Sequence, residues 1–177
     1  GVGRIGQRVL RRLSSFGTPR VLVNDLNPDD KLIPQTKLEW TDKETIYKQA
    51  DVISLHLPLT KHTKNMISAK HLDLMKPDAI IINTARGGII NELDLANAMN
   101  AGHLHGAAID VFEREPYEGP LADIERCILT SHMGSMTVDC RTRMEIEATE
   151  EAVRFLKGLP LEREVPEDEY EVQSEEL

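Results

Sequence analysis

Hydrophobic residues fall into short, nearly continuous runs that alternate with stretches of helical periodicity. Runs without polar alternation are typical of strands whose two faces are both covered. The pattern predicts five strands and a short additional one, which lie at Val21–Asn24, Val52–Leu55, Ala79–Asn83, Gly106–Ile109 and Ile128–Thr130, with the short one at Lys37–Glu39. The alternation of strands with helices predicts an α/β fold in which helices cover both faces of a parallel sheet.

The stretches between the strands carry recognisable helix ends. A first helix is predicted over Gln7–Ser15, and Thr41 with Glu44 has the spacing of a capping box before another. The longest periodic stretch predicts a helix from about Thr137 to Lys157. Two further N-caps are predicted at Ser68 and Asn91.

The chain opens with a glycine-rich motif, Gly1-Val2-Gly3-Arg4-Ile5-Gly6, followed by the first predicted helix. This G-x-G-x-x-G arrangement is typical of a dinucleotide-binding fold, in which the glycines allow a tight turn and a close approach to a pyrophosphate. The helix N-terminus would offer N–H groups and a partial positive charge to the phosphates. Asp25 ends the next apolar run, where a carboxylate accepts hydrogen bonds from ribose hydroxyls and repels a 2′-phosphate. The motif therefore predicts NAD rather than NADP.

Composition places the chain among ordinary globular proteins. Its 177 residues suffice for one compact domain, with 40% hydrophobic and 29% charged residues. The net charge of −9 is concentrated in Glu162–Leu177, which holds eight acidic residues and one arginine. No basic patch indicates nucleic-acid binding, and no apolar run or signal pattern indicates a membrane or secretion. Cys127 and Cys140 lack metal-ligand spacing and are expected to be reduced thiols, so we expect a cytoplasmic protein without a metal site.

Polar residues follow five predicted strands, and ligands bind beyond the carboxyl ends of strands in sheets of this kind. They are Asp25, His56–Pro58, Thr84–Gly88, Asp110 and Ser131–Gly134. No G-x-S-x-G elbow supports a serine hydrolase, and the absence of G-K-[ST] excludes a P-loop enzyme. The sequence therefore favours chemistry at these strand ends.

Three side chains near these strand ends could carry a reaction. Arg86 could bind a carboxylate with two parallel hydrogen bonds, and His132 could take and return a proton near neutral pH. Glu115 could act as the carboxylate that raises the pKa of a neighbouring histidine. Taken singly, each could instead be a surface residue. His56 is an alternative histidine, and Asp110 could cap a helix or hold a cofactor amide.

Six motifs, taken in order, resemble the cofactor-binding domain of the D-isomer-specific 2-hydroxyacid dehydrogenases, close to the phosphoglycerate dehydrogenase branch. The matching segments are Gly1–Gly6, Asp25, His56–Thr60, Asn83–Gly88, Ala107–Pro116 and Ser131–Ser135. The resemblance covers about residues 1–158 and implies a Rossmann-type doubly wound parallel sheet. It also implies that Arg86, Glu115 and His132 are the catalytic residues.

The resemblance implies NAD as the cofactor. The implied contacts are Gly1, Gly3, Arg4, Ile5, Gly6, Asp25, Leu57, Pro58, Thr63, Thr84, Ala85, Arg86, Asp110, His132 and Gly134. The implied reaction interconverts a small D-2-hydroxy acid and its 2-oxo acid. In it His132 is the general base, Glu115 stabilises the imidazolium and Arg86 binds the substrate carboxylate.

Two alternatives share this resemblance. Some relatives are NAD-sensing corepressors, which can keep the same three residues. Formate dehydrogenase resembles the family but has glutamine where this chain has Glu115, so it is disfavoured. The resemblance further implies a homodimer formed through the cofactor domain.

The resemblance also suggests an N-terminally truncated domain, because the phosphate loop normally follows a strand and no strand precedes Gly1. We expect residues 1–158 to be an NAD-binding domain that lacks its first strand and its substrate domain. Residues 159–177 are expected to be a mobile acidic tail. On this expectation the chain by itself would be inactive and would bind NAD poorly.

Overall fold

A computed structural model of the chain describes residues 1–17, 19–28 and 38–164. The chain divides into two compact units, Gly1–Ser131 and His132–Leu177. The predicted strands and the glycine motif lie in the first unit. Within the described residues, none of the helices combines the length and the apolar content needed to cross a membrane.

The described residues of the first unit contain six strands, which form two parallel sheets. Strand β1 (Val21–Val23) pairs with β2 (Leu38–Trp40). The larger sheet has the order β3-β4-β5-β6, and its strands are Val52–Leu55, Ile80–Asn83, Gly106–Ile109 and Cys127–Leu129. Ile80 lies opposite Val52 on one side and Gly106 on the other. The predicted parallel α/β architecture is confirmed, with strand ends shifted by at most one residue and Lys37 outside the described residues.

The described residues of the first unit contain four α-helices, of which one precedes β1 and three connect strands. They are α1 (Arg4–Leu13), α2 (Lys43–Gln49), α3 (Ala69–Leu72) and α4 (Glu92–Asn100). Helix α1 begins three residues earlier than predicted, directly after Gly3, and continues into a short 3-10 turn at Ser14–Phe16. Asn91 caps α4, since its side chain accepts the N–H of Asp94, and this predicted cap is confirmed. Ser68 also caps its helix, with His71 bonding back to it.

The capping box predicted at Thr41 and Glu44 is wrong. The N-cap of α2 is Asp42, whose Oδ1 accepts the N–H of Thr45 at 2.8 Å. The N–H of Thr41 instead donates to the carbonyl of Val23 at 3.0 Å. Thr41 thus continues the pairing between β2 and β1 by one residue. A carboxylate one residue further along is then the first acceptor free to cap the helix.

The core of the first unit lies between the larger sheet and its helices. Ile81 and Leu95 are completely buried, and Met99 is nearly so. Burying one such side chain contributes about 1.5–3 kcal/mol to the free energy of unfolding. A smaller cluster of Val2, Leu10 and Val23 joins α1 to the β1-β2 sheet. The two clusters fix the carboxyl ends of the strands, and the loops that follow them, on a rigid support.

The second unit contains a 3-10 turn at Met133–Ser135 and the long helix α5 (Val138–Leu156). Thr137 caps α5 through the N–H of Cys140, which confirms the predicted helix. After the helix, Arg154 pairs with Glu162 at 2.9 Å, and Arg163 lies within 4 Å of three glutamates of α5. Residues 165–177 of the predicted acidic tail lie outside the described residues, and the predicted division at residue 158 stays a prediction.

Candidate cofactor and active site

The phosphate loop presents an open backbone at the start of α1. Gly3 is the N-cap of the helix, and as a glycine it has no side chain that could cap the first N–H groups. The first N–H groups of a helix lack intrahelical acceptors, and they carry partial positive charge. A Cβ atom placed on Gly3 would meet no atom within 4 Å. The protein therefore leaves free space where an anion could approach these donors.

The other two glycines of the motif are needed for packing. A Cβ on Gly1 would lie 2.2 Å from the carbonyl oxygen of His56, which follows β3. A Cβ on Gly6 would lie 2.3 Å from the carbonyl oxygen of Gly1. No side chain fits at either place, because both contacts are with backbone. The loop is thus pressed against the end of β3, and only Gly3 faces open space.

Asp25 holds the same loop from the end of β1. Its Oδ2 accepts the N–H of Val2 at 2.6 Å, and its Oδ1 accepts the N–H of Asn27 at 3.1 Å. Burial alone would raise the pKa of Asp25, but these backbone hydrogen bonds outweigh it and hold the pKa below the usual value. The carboxylate is therefore ionised at neutral pH, as a group that repels a 2′-phosphate must be.

The loop after β3 is braced by its own hydroxyl groups. Thr63 Oγ1 donates to the carbonyl of Pro58 at 2.8 Å and accepts the N–H of Thr60 at 2.7 Å. Thr60 is buried. The predicted contact residues Leu57, Pro58 and Thr63 therefore lie in one rigid turn, and the Thr63 hydroxyl already has two partners. His56 bonds to Ser54 at 2.9 Å, and burial lowers its pKa.

Asn83 organises the turn that carries Arg86. Its buried side chain donates from Nδ2 to the carbonyl of Arg86 at 2.9 Å, and its Oδ1 accepts the N–H of Ala85 at 3.1 Å. Two bonds from one buried amide fix the backbone of Thr84, Ala85 and Arg86. The Arg86 side chain is exposed, with Nη1 donating to the carbonyl of Ala85 at 2.7 Å. Its guanidinium thus lies at the surface beyond the carboxyl end of β4.

The Arg86 turn contacts the segment that carries Glu115. A Cβ on Gly87 would lie 1.9 Å from both the carbonyl carbon and the carbonyl oxygen of Phe112, so the two backbones touch. Glu115 Oε1 accepts the N–H of Phe112 at 3.1 Å, and the Glu115 side chain is exposed. The structure thus places the segments of Arg86 and Glu115 side by side, as their positions after neighbouring strands predict.

Asp110 lies directly beyond β5 and is buried. Its Oδ1 accepts the hydroxyl of Thr130 at 2.5 Å, and Thr130 follows the neighbouring strand β6. Asp110 caps no described helix. Its carboxylate is instead held in a fixed orientation at the edge of the sheet, where it could bind an amide.

His132 begins the second unit and is exposed. Its backbone is left-handed, with φ 54° and ψ 50°, and it immediately precedes the 3-10 turn that contains Gly134. Left-handed backbone is uncommon for a residue with a Cβ and clusters at functional sites.

Asn83 holds the Arg86 turn and Thr130 orients Asp110, but neither was among the predicted site residues. Asn83 could have been found, since an amide that closes the buried strand Ile80–Asn83 must have partners. Arg4 and Ile5, which were predicted in the loop before the helix, lie in the first turn of α1, and Ile5 is 58% exposed there.

Comparison with known proteins decides the family. The family model for the D-isomer specific 2-hydroxyacid dehydrogenase, NAD binding domain, matches residues 1–134. The chain belongs to this dehydrogenase family. It is 39% identical over 159 residues to glyoxylate reductase of Thermococcus litoralis, covering 89% of this chain and 48% of that protein. It is 36% identical over 162 residues to D-3-phosphoglycerate dehydrogenase of Bacillus subtilis, covering 91% of this chain and 31% of that protein.

Solved structures of the dehydrogenase family have the same fold. D-lactate dehydrogenase with NAD⁺ from Lactobacillus jensenii superposes with a TM-score of 0.83 at 30% identity, over 94% of this chain and 54% of that one. A glyoxylate reductase from Paecilomyes thermophila gives a TM-score of 0.86 at 32% identity, over 95% of this chain and 51% of that one. The chain spans about half the length of the Thermococcus litoralis reductase and of these two structures.

The site fits the NAD of this dehydrogenase family. The open face of Gly3 leaves space at a helix N-terminus, and ionised Asp25 stands at the end of the adjoining strand. These two features are what a diphosphate and a ribose without a 2′-phosphate require.

Proposed function

We propose that this chain is the cofactor-binding part of an NAD-dependent dehydrogenase that interconverts small D-2-hydroxy acids and 2-oxo acids. The observation that supports it most is the contact between the turn of Arg86 and the segment of Glu115, beyond the ends of β4 and β5. The turn that carries Arg86 and the segment that carries Glu115 therefore lie together at one edge of the sheet. The reductase and dehydrogenase names of the relatives above agree with this proposal and give no support to a corepressor.

NAD is held by the phosphate loop and by Asp25. The N–H groups at the start of α1 bind the pyrophosphate, with Arg4 and Ile5 in that first turn. Asp25 accepts hydrogen bonds from the ribose hydroxyls. Asp110, oriented by Thr130, accepts a hydrogen bond from the carboxamide N–H. The turn residues Leu57, Pro58, Thr63, Thr84 and Ala85 and the loop residue Gly134 complete the contacts, as the family motifs imply. When bound, NAD supplies the hydride-transfer chemistry.

The reacting groups of the substrate are handled by the chain's own side chains. Arg86 binds the substrate carboxylate through two parallel N–H donors, and the fixed backbone of its turn reduces the entropy lost on binding. His132 accepts the proton of the C2 hydroxyl at an imidazole nitrogen, and returns it in the reverse direction. Glu115 stabilises the protonated imidazole. The roles of His132 and Glu115 rest on the motifs in which they lie.

The test uses the purified full-length protein with NADH and a panel of glyoxylate, hydroxypyruvate and pyruvate, and with NAD and D-3-phosphoglycerate. His132→Ala should lower kcat by roughly 10²–10⁴-fold, the usual contribution of a positioned proton-transfer group. Glu115→Gln should also lower kcat, because a neutral amide stabilises a protonated imidazole less than a carboxylate does.

His105→Ala is the matched control. His105 is exposed and immediately precedes β5, so it lies at the opposite, amino end of the strands from Arg86. Its kcat should equal that of the wild type. A wild-type protein that binds NAD but reduces none of the panel would overturn the proposal, and so would equal losses in His105→Ala and His132→Ala.

The family resemblance also leads us to propose a homodimer formed through the cofactor domain and a cytoplasmic location. Light scattering of the purified protein tests the first of these. A monomeric mass across the micromolar range would contradict it.

A further inference from the structure

We infer that Glu92 is a positioning residue for the segment that carries Glu115. Glu92 is the first residue of α4, and its Oε1 accepts the backbone N–H of Glu113 at 2.7 Å. The carboxylate thus reaches from the helix to the turn two residues before Glu115. This inference rests on the proposed function, in which Glu115 takes part in the reaction.

Two consecutive amides of this turn are bound by carboxylates. The N–H of Phe112 donates to Glu115 Oε1 at 3.1 Å, and the N–H of Glu113 donates to Glu92. The first bond fixes the Glu115 side chain relative to its own backbone. The second fixes that backbone relative to α4. Together they determine where the Glu115 carboxylate lies with respect to the sheet.

Helix α4 does not need Glu92 as a cap. Asn91 already serves as the N-cap, and Asp94 already supplies a second acidic residue in the first turn. Burial raises the pKa of Glu92, and the nearby charge of Glu113 adds to this, although the bond from the Glu113 N–H opposes both. A partly buried carboxylate is unfavourable unless it is hydrogen-bonded. The bond to the Glu113 amide is the interaction that compensates for its burial.

Other contacts restrict the directions in which the turn of Phe112 and Glu113 can move. On one side the backbone of Phe112 touches Gly87, in the turn that carries Arg86. The Phe112 ring also stacks on Tyr117 with centroids 4.2 Å apart. If the Glu92 bond is lost, a shift of residues 112–113 therefore changes the position of Glu115 and presses on the Arg86 turn. Misplacement of about 1 Å at a reacting group can strongly reduce turnover.

The experiment compares Glu92→Ala, Glu92→Gln and Asp94→Ala in the full-length protein. Asp94 is a matched control, because its Oδ2 also accepts a backbone N–H, that of Ala69 at 2.8 Å, but far along the chain from Glu115. Glu92→Ala should lower kcat about tenfold or more, as expected for losing a hydrogen bond to a charged group. Its KM for NAD should change less than its kcat, since the contacts proposed at the phosphate loop and at Asp25 stay the same.

Two further readouts separate positioning from general stability. Glu92→Gln keeps an acceptor oxygen and should restore kcat to within about twofold of the wild type. Hydrogen exchange should show a protected Glu113 amide in the wild type, in Glu92→Gln and in Asp94→Ala, but not in Glu92→Ala. If Glu92→Ala does not fold, Glu92→Met replaces it, because Met fills a similar volume without an acceptor.

Equal kcat values for the Glu92→Ala and Asp94→Ala variants would overturn the inference, as would a Glu92→Gln variant as slow as Glu92→Ala. A wild-type protein without turnover on any substrate of the panel would instead contradict the proposed function. In that case the hydrogen-exchange comparison alone decides on Glu92, and an unprotected Glu113 amide in the wild type would refute its positioning role.

Discussion

Two glycine substitutions should separate folding from cofactor binding. Gly3→Ala adds a methyl group where no atom lies within 4 Å, and Gly3 has φ −69°, which alanine adopts freely. Gly87→Ala adds the same group 1.9 Å from the backbone of Phe112. Carbon atoms pack at about 3.5–4.0 Å, so the Gly87 variant requires a backbone shift of roughly 1.6 Å.

The expected magnitudes follow from these distances. Gly3→Ala should change the free energy of unfolding by less than about 1 kcal/mol, because the gain from a less flexible unfolded chain offsets the weaker N-cap. Gly87→Ala should destabilise by about 1–3 kcal/mol or more, since the clash is with backbone and not with a flexible side chain. NAD affinity should fall at least about tenfold in Gly3→Ala, equivalent to about 1.4 kcal/mol, because the methyl group occupies the space proposed for the pyrophosphate.

The assay is urea unfolding of each variant, combined with calorimetric titration of NAD into the folded full-length protein. The reasoning fails if Gly3→Ala binds NAD as tightly as the wild type, because the open face of Gly3 would then not be the phosphate site. It also fails if Gly3→Ala is destabilised as much as Gly87→Ala.

Three other perturbations test individual features. Asn83→Leu should lower the free energy of unfolding, measured in urea, by about 2–4 kcal/mol, since it removes two hydrogen bonds and leaves the Arg86 carbonyl and the Ala85 amide unpaired. A change below about 1 kcal/mol would show that the turn is held by other contacts. The folded-state pKa of Asp25 lies below its unfolded value, so its contribution to stability is present above about pH 4 and is lost as the pH falls through the folded pKa. Asp25→Asn should therefore lose less stability than the wild type between about pH 6 and pH 3, and parallel losses would contradict this. Burial raises the pKa of the Cys127 thiol to about 11, so Cys127 should be alkylated slowly at pH 8 and faster once urea unfolds the protein. Mass spectrometry measures both rates, and equal rates with and without urea would contradict the burial of Cys127.

The strands could be predicted because a short apolar run in the sequence is what a strand inside a covered parallel sheet requires. The runs Val52–Leu55 and Gly106–Ile109 are short and lack charges, and the structure reproduces both predicted ranges. The positions of Arg86, Glu115 and Asp110 followed from the strands before them, since parallel strands bring their carboxyl ends to one edge. The confirmed family assignment rests on the same order of motifs.

The supports of these residues could not be predicted in the same way. The bond from Glu113 to Glu92 spans 21 residues and that from Thr130 to Asp110 spans 20, so neither leaves a local pattern. The error at Thr41 has a related cause, because its amide is engaged by Val23 on the neighbouring strand. Local capping rules hold only where tertiary contacts leave the backbone free.

The left-handed backbone at His132 has a consequence for the stability of the fold. For a residue with a Cβ this conformation is less stable than the right-handed one by about 1–2 kcal/mol, whereas glycine adopts it without that penalty. Glycine would therefore give the more stable fold at position 132. The histidine makes the fold less stable there and provides an imidazole in exchange. His132→Gly is accordingly a variant in which the protein gains thermal stability while it loses its proposed proton acceptor.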